Sequence, residues 1–175
     1  MDKVYFREEQ RYTQWWVWLL LLLMFFVAVV PLWYGVYIQT VEGRPWGNQP
    51  ITTDKLVVVS IVVTLFVSAI VILFFVQKLE TVVSSDGVRY RYPPFIRKWK
   101  KIKPQEIFAF SIDTYKPLAT YGGWGIRSGS KREGKAYTIS GKTGLKITLV
   151  DRSKILIGTQ RTDALRHAMD KMLNQ

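Results

Sequence analysis

Hydrophobic positions along this chain fall into two unbroken runs, Trp15–Ile38 and Leu56–Val76, and afterwards into short alternations of period two. Neither run contains a charged residue. A helix rises about 1.5 Å per residue, so about 20 residues cross the ~30 Å hydrocarbon layer of a bilayer. Both runs reach that length and predict transmembrane helices. Trp15, Trp16 and Trp18 at one end of the first run, and Trp33, Tyr34 and Tyr37 at the other, are aromatics of the kind that favour membrane–water interfaces. Pro31 removes a backbone donor inside that helix and predicts a kink. In the second helix Ser60, Thr64 and Ser68 recur every four residues and share one face, where small and hydroxyl side chains let helices approach closely. Packing against the first helix of the same chain is the leading expectation for this stripe; a homo-oligomer seam and a partner helix are the alternatives.

After Lys78 the period changes to two. Glu80–Ser84 and Val88–Tyr92 flank Ser85-Asp86-Gly87, a hairpin turn signal. In the second of these strands Val88, Tyr90 and Tyr92 take one face, and Arg89 and Arg91 the other. Pro93-Pro94 stops the pairing, Phe95–Ile102 predicts a further strand, and Ile107–Thr114 alternates with Phe108, Phe110 and Ile112 pointing one way. The glycine-rich Tyr121-Gly122-Gly123-Trp124-Gly125 then precedes three short strands near Lys135–Ser140, Leu145–Val150 and Lys154–Ile157. From Thr162, a plausible N-cap, the period becomes helical, with Ala164, Leu165, Ala168, Met169, Met172 and Leu173 on one side. The predicted fold is therefore a membrane α-hairpin followed by a mostly-β barrel or bent sandwich closed by a C-terminal α-helix. Its parts are an N-terminal segment 1–14, helices 15–38 and 55–77 joined by a connector 39–54, and a domain 78–175.

Charge sharpens this division. The chain carries a formal +12, and all of the excess lies after Gln77, where 20 Lys and Arg face 8 Asp and Glu. A domain of 98 residues can hold one small core. Its positive field suits anionic lipid, nucleic acid or an acidic protein. Lys3, Arg7 and Arg11 precede the first helix, and Lys78, Arg89, Arg91, Arg97 and Lys98 follow the second, whereas the connector holds Arg44 alone, with Lys55 at its edge. Cationic residues near helix ends stay cytoplasmic. Both termini are thus expected in the cytoplasm, with Gly43-Arg44-Pro45-Trp46-Gly47 turning on the far side. The first run is too long for a cleaved signal peptide and no small-x-small pattern follows it, so it reads as a retained anchor.

The segment Thr81–Phe95 directly after a helix pair resembles the opening of bacterial pleckstrin-homology-like (PH-like) domains. Tyr121-Gly122-Gly123-Trp124-Gly125-Ile126-Arg127 and Ile157-Gly158-Thr159-Gln160 are similar to repeated phrases of an uncharacterised family of bacterial two-helix membrane proteins. The resemblance spans nearly the whole chain and implies an architecture and an inner-membrane location. It carries over no catalytic residues.

Candidate chemistry is sparse. With no cysteine, thiol catalysis, disulfides and Cys-based metal sites are excluded, and the single His167 cannot build a His-rich metal site. Gly141-Lys142-Thr143 is similar to the end of a phosphate-binding loop, but the glycine required five positions earlier is Ala136 and an alternating segment follows in place of a helix. No cofactor is expected, and the chain reads as non-enzymatic. The strongest signal is Arg97-Lys98-Trp99-Lys100-Lys101-Ile102-Lys103, five cations in seven residues with Trp99 interleaved. A juxtamembrane cation contributes about 1 kcal/mol beside anionic lipid. Lipid contact leads here; a solvated strand face with Trp99 in the core and an acidic protein partner are the alternatives. Arg127, Lys131, Arg132 and Lys135 form a second basic group, and Tyr121 and Trp124 either close the barrel end or present a recognition surface with Arg127. The leading reading is an interaction module at the membrane. An accessory subunit of a larger transporter- or channel-like assembly, joined through the helices, is the alternative. Nucleic acid ranks below both, because no aromatic stacking platform recurs.

Overall fold

The computed structural model describes residues 3–130 and 133–174. Two compact units emerge, one made of the residues from Thr13 to Phe75 and the other of everything before and after them.

The first unit is a pair of helices, α1 (Trp15–Val41) and α2 (Thr53–Val76), both long and apolar enough to cross a membrane. α1 is continuous through Pro31 and runs three residues beyond the apolar stretch. The two helices are antiparallel. Trp18 meets Phe75 edge-on at 6.2 Å, Trp33 Nε1 donates to Thr64 Oγ1 at 3.0 Å, and Thr53 Oγ1 donates to Gln39 Oε1 at 3.1 Å. Ser60 is fully buried and donates to the Leu56 carbonyl, while Thr64 donates to the Ser60 carbonyl. Ser68 is half-buried. The hydroxyls of Ser60 and Thr64 are therefore used within the hairpin. Gly35 leaves room for the connector to fold back: a Cβ there would stand 2.5 Å from Cδ2 of Trp46. Outward, Leu19, Leu20, Leu22 and Leu23 on α1 and Val58, Val62, Leu65 and Phe66 on α2 are exposed, an apolar surface that a lipid environment would cover.

The second unit begins with a strand that apolar periodicity did not reveal. β1 (Val4–Arg11) pairs antiparallel with β2 (Lys78–Ser84), so the helix pair is an insertion between two neighbouring strands of one sheet. β3 (Gly87–Tyr92) and β4 (Ile96–Ile102) complete this four-stranded meander. At the β2–β3 turn Gly87 has φ 127°, and a Cβ would come within 2.2 Å of the Ile102 carbonyl oxygen, so only glycine fits. A second sheet, in the order β5-β8-β9-β7-β6, comprises β5 (Ile107–Thr114), β6 (Gly125–Ser128), β7 (Lys135–Thr138), β8 (Thr143–Leu149) and β9 (Lys154–Gly158), with β7 parallel to β9. Short helix α3 (Pro117–Tyr121) follows β5, and α4 (Thr162–Leu173) ends the unit. The two sheets do not close into a barrel. They enclose one core with α4, built from Leu79, Val83, Val88 and Tyr90 on the first sheet, Leu145, Ile147 and Ile157 on the second, and Leu165, Met169 and Met172 on the helix.

Polar residues tie β1 to the far sheet. Its inward side chains are Phe6, Glu8 and Gln10, all buried. Glu8 accepts from Thr159 Oγ1 at 2.7 Å and from the Gln160 N–H at 2.8 Å. Gln10 Nε2 donates to the Gly158 carbonyl at 2.7 Å. The domain is thus not 78–175 alone. It includes the strand ahead of the helices.

Glu8→Ala should leave two buried donors, Thr159 Oγ1–H and the Gln160 N–H, without their acceptor, and each orphaned donor costs about 1–3 kcal/mol. A fall of several degrees in the thermal midpoint of the solubilised full chain is expected, with Glu8→Gln intermediate. An unchanged midpoint for Glu8→Ala would show that the clasp is not needed.

Candidate basic interaction surface

β4 is an edge strand of the first sheet, and its basic residues divide by face. The register sets Tyr90 opposite Lys100 and Arg89 opposite Lys101, so alternate residues of β4 point inward and outward. Ile102 is buried in the core, which places Trp99, three residues earlier, on the outer face. Trp99 is 40 % exposed and is not part of the core. Instead the Arg91 guanidinium stacks on it at 4.6 Å from the ring centroid. That corrects the placement of Trp99 in the core.

Arg91 is held from its other side. Its Nε donates to Glu80 Oε2 at 2.8 Å, Glu80 also pairs with Lys78, Lys78 pairs with Glu9 at 3.0 Å, and Glu9 pairs with Arg11 at 2.8 Å. These residues alternate outward on β1, β2 and β3, so the pleat lines them up as one ionic row. The row fixes the carboxylates. Burial pushes the Glu80 pKa up, but hydrogen bonds from Lys78 and Arg91 outweigh it and hold the group below the usual carboxylate range. Hydrogen bonds from Arg11 and Lys78 do the same for Glu9.

The cations of β4 are treated differently. Lys101 pairs with Asp86. Arg97, Lys98, Lys100 and Lys103 are all exposed, and among the described residues none has a carboxylate within ion-pair distance. Lys100 extends over the Tyr137 ring at 5.9 Å from its centroid. Between the pairs Tyr90–Lys100 and Tyr92–Ile96 the register slips by two residues, and Arg97 and Lys98 lie in this irregular part of β4, both exposed. Phe95, just before β4, is 58 % exposed. Charged side chains on a sheet edge also oppose pairing with another chain's strand.

The second sequence-predicted group separates. Tyr121 is buried, packs edge-on against Tyr115 with ring centroids 6.0 Å apart, and donates to the Glu133 carbonyl. With Ala136 and Leu156 these tyrosines form a small second core rather than a barrel end. Trp124 is half-buried and its Nε1 donates to the Gly141 carbonyl at 2.8 Å. Arg127 is exposed and lies near Tyr12 and Tyr92, whose hydrogen-bonded phenols are both raised by burial and drawn partly back by its charge. Lys131 and Arg132 lie outside the described residues. His167 is exposed on α4, and among the described residues no cluster of three or more His, Cys, Asp or Glu gathers as a metal site.

An open groove of about 730 Å³ lies beside β4, with Tyr90, Ile102, Leu149 and Ile155 supplying apolar surface. Lys100 and Lys101 are matched there by Glu106 and Asp151, so the groove has no single sign of charge.

Lowered carboxylates give a signed pH dependence. The unfolded chain binds protons at Glu9 and Glu80 more readily than the folded one, so their stabilisation is complete above the ordinary carboxylate range and lost as pH falls through the lowered folded values. A thermal midpoint that declines between about pH 5 and pH 3, and declines less in Glu80→Gln, is the expected result. Identical pH profiles for the two proteins would exclude the ionic row as a source of acid sensitivity.

No protein-family model, curated protein or solved structure matches the chain.

Proposed function

We propose that this chain is a membrane-anchored, non-enzymatic interaction module of a bacterial inner membrane, in which a two-helix hairpin holds a cytoplasmic PH-like domain whose basic edge strand contacts anionic lipid headgroups. The observation that carries the reading is the set Arg97, Lys98, Lys100 and Lys103, exposed cations that no described carboxylate approaches within ion-pair distance, beside exposed Trp99 and Phe95. With Lys101 paired to Asp86, four cations of the strand remain, for a ceiling of about 4 kcal/mol at about 1 kcal/mol each. Because two apolar helices anchor far more strongly than that, lipid contact acts on the domain's tilt and on the choice of surrounding lipids, not on recruitment.

Two sheets and a closing C-terminal helix support the PH-like comparison. Pairing of β1 with β2 requires that the segments on either side of the hairpin share one side of the bilayer, and the cationic flanks favour the cytoplasm. The carboxylates most engaged in the domain serve structure: Glu8 in the β1 clasp, Glu9 and Glu80 in the ionic row, Asp86 on Lys101. Assembly with a second membrane protein through Ser60 and Thr64 draws no support from hydroxyls already bonded inside the hairpin.

The test uses the full chain, extracted from a membrane of phosphatidylethanolamine and phosphatidylglycerol and weighed intact with its retained lipids. Wild type should carry phosphatidylglycerol several-fold above its share of the bulk membrane, and the Arg97→Gln/Lys98→Gln/Lys100→Gln/Lys103→Gln variant should not. Equal enrichment in both sinks lipid contact by β4.

A further inference from the structure

Resting on that lipid-contact reading, we propose that the turn between β3 and β4, rather than the length of β4, is seated in the headgroup layer, with Phe95 as the apolar anchor and Arg97, Lys98 and Arg127 on lipid phosphates.

Strand register decides which end of the sheet this turn occupies. The chain leaves the sheet after Arg11 for the helices and returns at Lys78, and these two residues face each other. The Lys78 N–H donates to the Pro93 carbonyl at 3.2 Å, Glu80 faces Arg91, and Tyr92 faces Ile96. Pro93, Pro94 and Phe95 therefore turn at the end from which both β1 and β2 run on into membrane-length helices. The Ser85-Asp86-Gly87 turn, with Ile102 opposite Val88, occupies the other end. The register sets Ile96 opposite Tyr92 and Ile102 opposite Val88, four residues apart on β3, so at about 3.3 Å per residue Ile102 lies about 13 Å from the turn end of β4. Screening at physiological salt acts over about 8 Å. On the proposed seating, headgroups reach the cations at the turn and not Lys101 or Lys103.

Side chains at that end suit an anionic, interfacial surface. Phe95 is exposed without a place in either core. Arg97 and Lys98 are both exposed at the register shift in β4. Arg127 is exposed on β6, which reaches this end because Gly125 pairs with Thr138, whose carbonyl accepts from Tyr92 Oη; its own Nε donates to the Trp124 carbonyl at 3.2 Å. Three exposed cations and an exposed aromatic side chain, drawn from β4, its turn and β6, thus lie towards the end of the β unit from which the chain runs into the apolar helices. Arginine forks and a lysine ammonium match phosphate oxygens, and an aromatic ring favours the depth of the headgroups.

The chain has no cysteine, so a single introduced thiol labels one site. Phe95→Cys and Lys103→Cys full-length proteins, each carrying a nitroxide, would be placed in nanodiscs of phosphatidylcholine with or without phosphatidylglycerol. Collision with oxygen and with a water-soluble nickel chelate then reports depth. In phosphatidylglycerol discs the label at 95 should favour oxygen by at least tenfold relative to the label at 103. Arg97→Gln/Lys98→Gln/Arg127→Gln, made in the Phe95→Cys protein, should move that label towards water. Equal, aqueous behaviour at both positions overturns the seating even where phosphatidylglycerol enrichment holds. A bilayer-seated label at 95 that ignores both lipid charge and the triple variant overturns instead the phosphate contacts, and with them the reading on which the seating rests.

Discussion

Everything in the β unit depends on a pairing made across the membrane hairpin. β1 lies before the two helices and β2 after them, yet they are hydrogen-bonded neighbours from Arg11–Lys78 to Val4–Ser84. Closing so long a connection costs entropy that grows only slowly with length, and a folded antiparallel hairpin costs less still because its own contacts bring the two chain ends together. What then fixes the register is chemistry on the inner face. A slip by one residue would turn Phe6, Glu8 and Gln10 outward and bury Arg7 and Glu9. It would also strip the acceptors from Thr159 and Gln160 on the opposite sheet. The buried carboxylate is thus less a stabilising extra than a selector of one pairing among several.

The same pleat sorts charge on the outer face. Glu9 and Glu80 are the carboxylates that alternate outward on β1 and β2, and Arg11, Lys78 and Arg91 neutralise them. Two strands away, β4 has Asp86 for Lys101 and no described carboxylate within ion-pair distance of its remaining cations. The net +12 is therefore not spread evenly over the unit. One face is a balanced ionic row, and one edge carries the surplus of cations. Arg91 joins the two, since the guanidinium that pairs with Glu80 also supports Trp99.

Long-range order, not local pattern, separates what could be read in the sequence from what could not. The two apolar runs became α1 and α2, and Ile107–Thr114 became β5 with the same limits, because length and periodicity are local properties. β1 escaped because its inward positions include Glu8 and Gln10, which look like surface residues until Thr159 and Gly158 are seen to face them. β6 escaped because four residues starting at Gly125 read as loop, and its strand character comes from pairing with β7. Alternation groups Phe108 with Phe110 and Ile112, yet Phe108 is 70 % exposed: a bulge between Ile107 and Ala109 gives the inward position to Ile107. Trp99 was legible in principle. Residues three apart on a strand face opposite ways, so a core Ile102 already implied an outward Trp99. The β4 cations were found as a cluster, while their division into paired Lys101 and unpaired neighbours required the β2–β3 turn to bring Asp86 across.

A helix pair inserted within a sheet differs physically from one that simply precedes a domain. In the second case the side of the membrane on which the domain lies depends on flanking charge alone, and a redistribution of Lys and Arg could reverse one helix and leave the domain intact. Here reversal of either helix by itself would put β1 and β2 on opposite sides, and would remove the acceptors of Thr159 and Gln160 together with one edge of the first sheet. In a bilayer, folding of the domain and insertion of the hairpin would therefore constrain each other: only topologies with an even number of crossings between β1 and β2 would allow the core to close. The cationic flanks then have a smaller task. In that setting they would choose between two orientations of an already paired unit, and Lys3, Arg7 and Arg11 would count on the same side as Lys78 and Arg89 because the strands that carry them are bonded to one another.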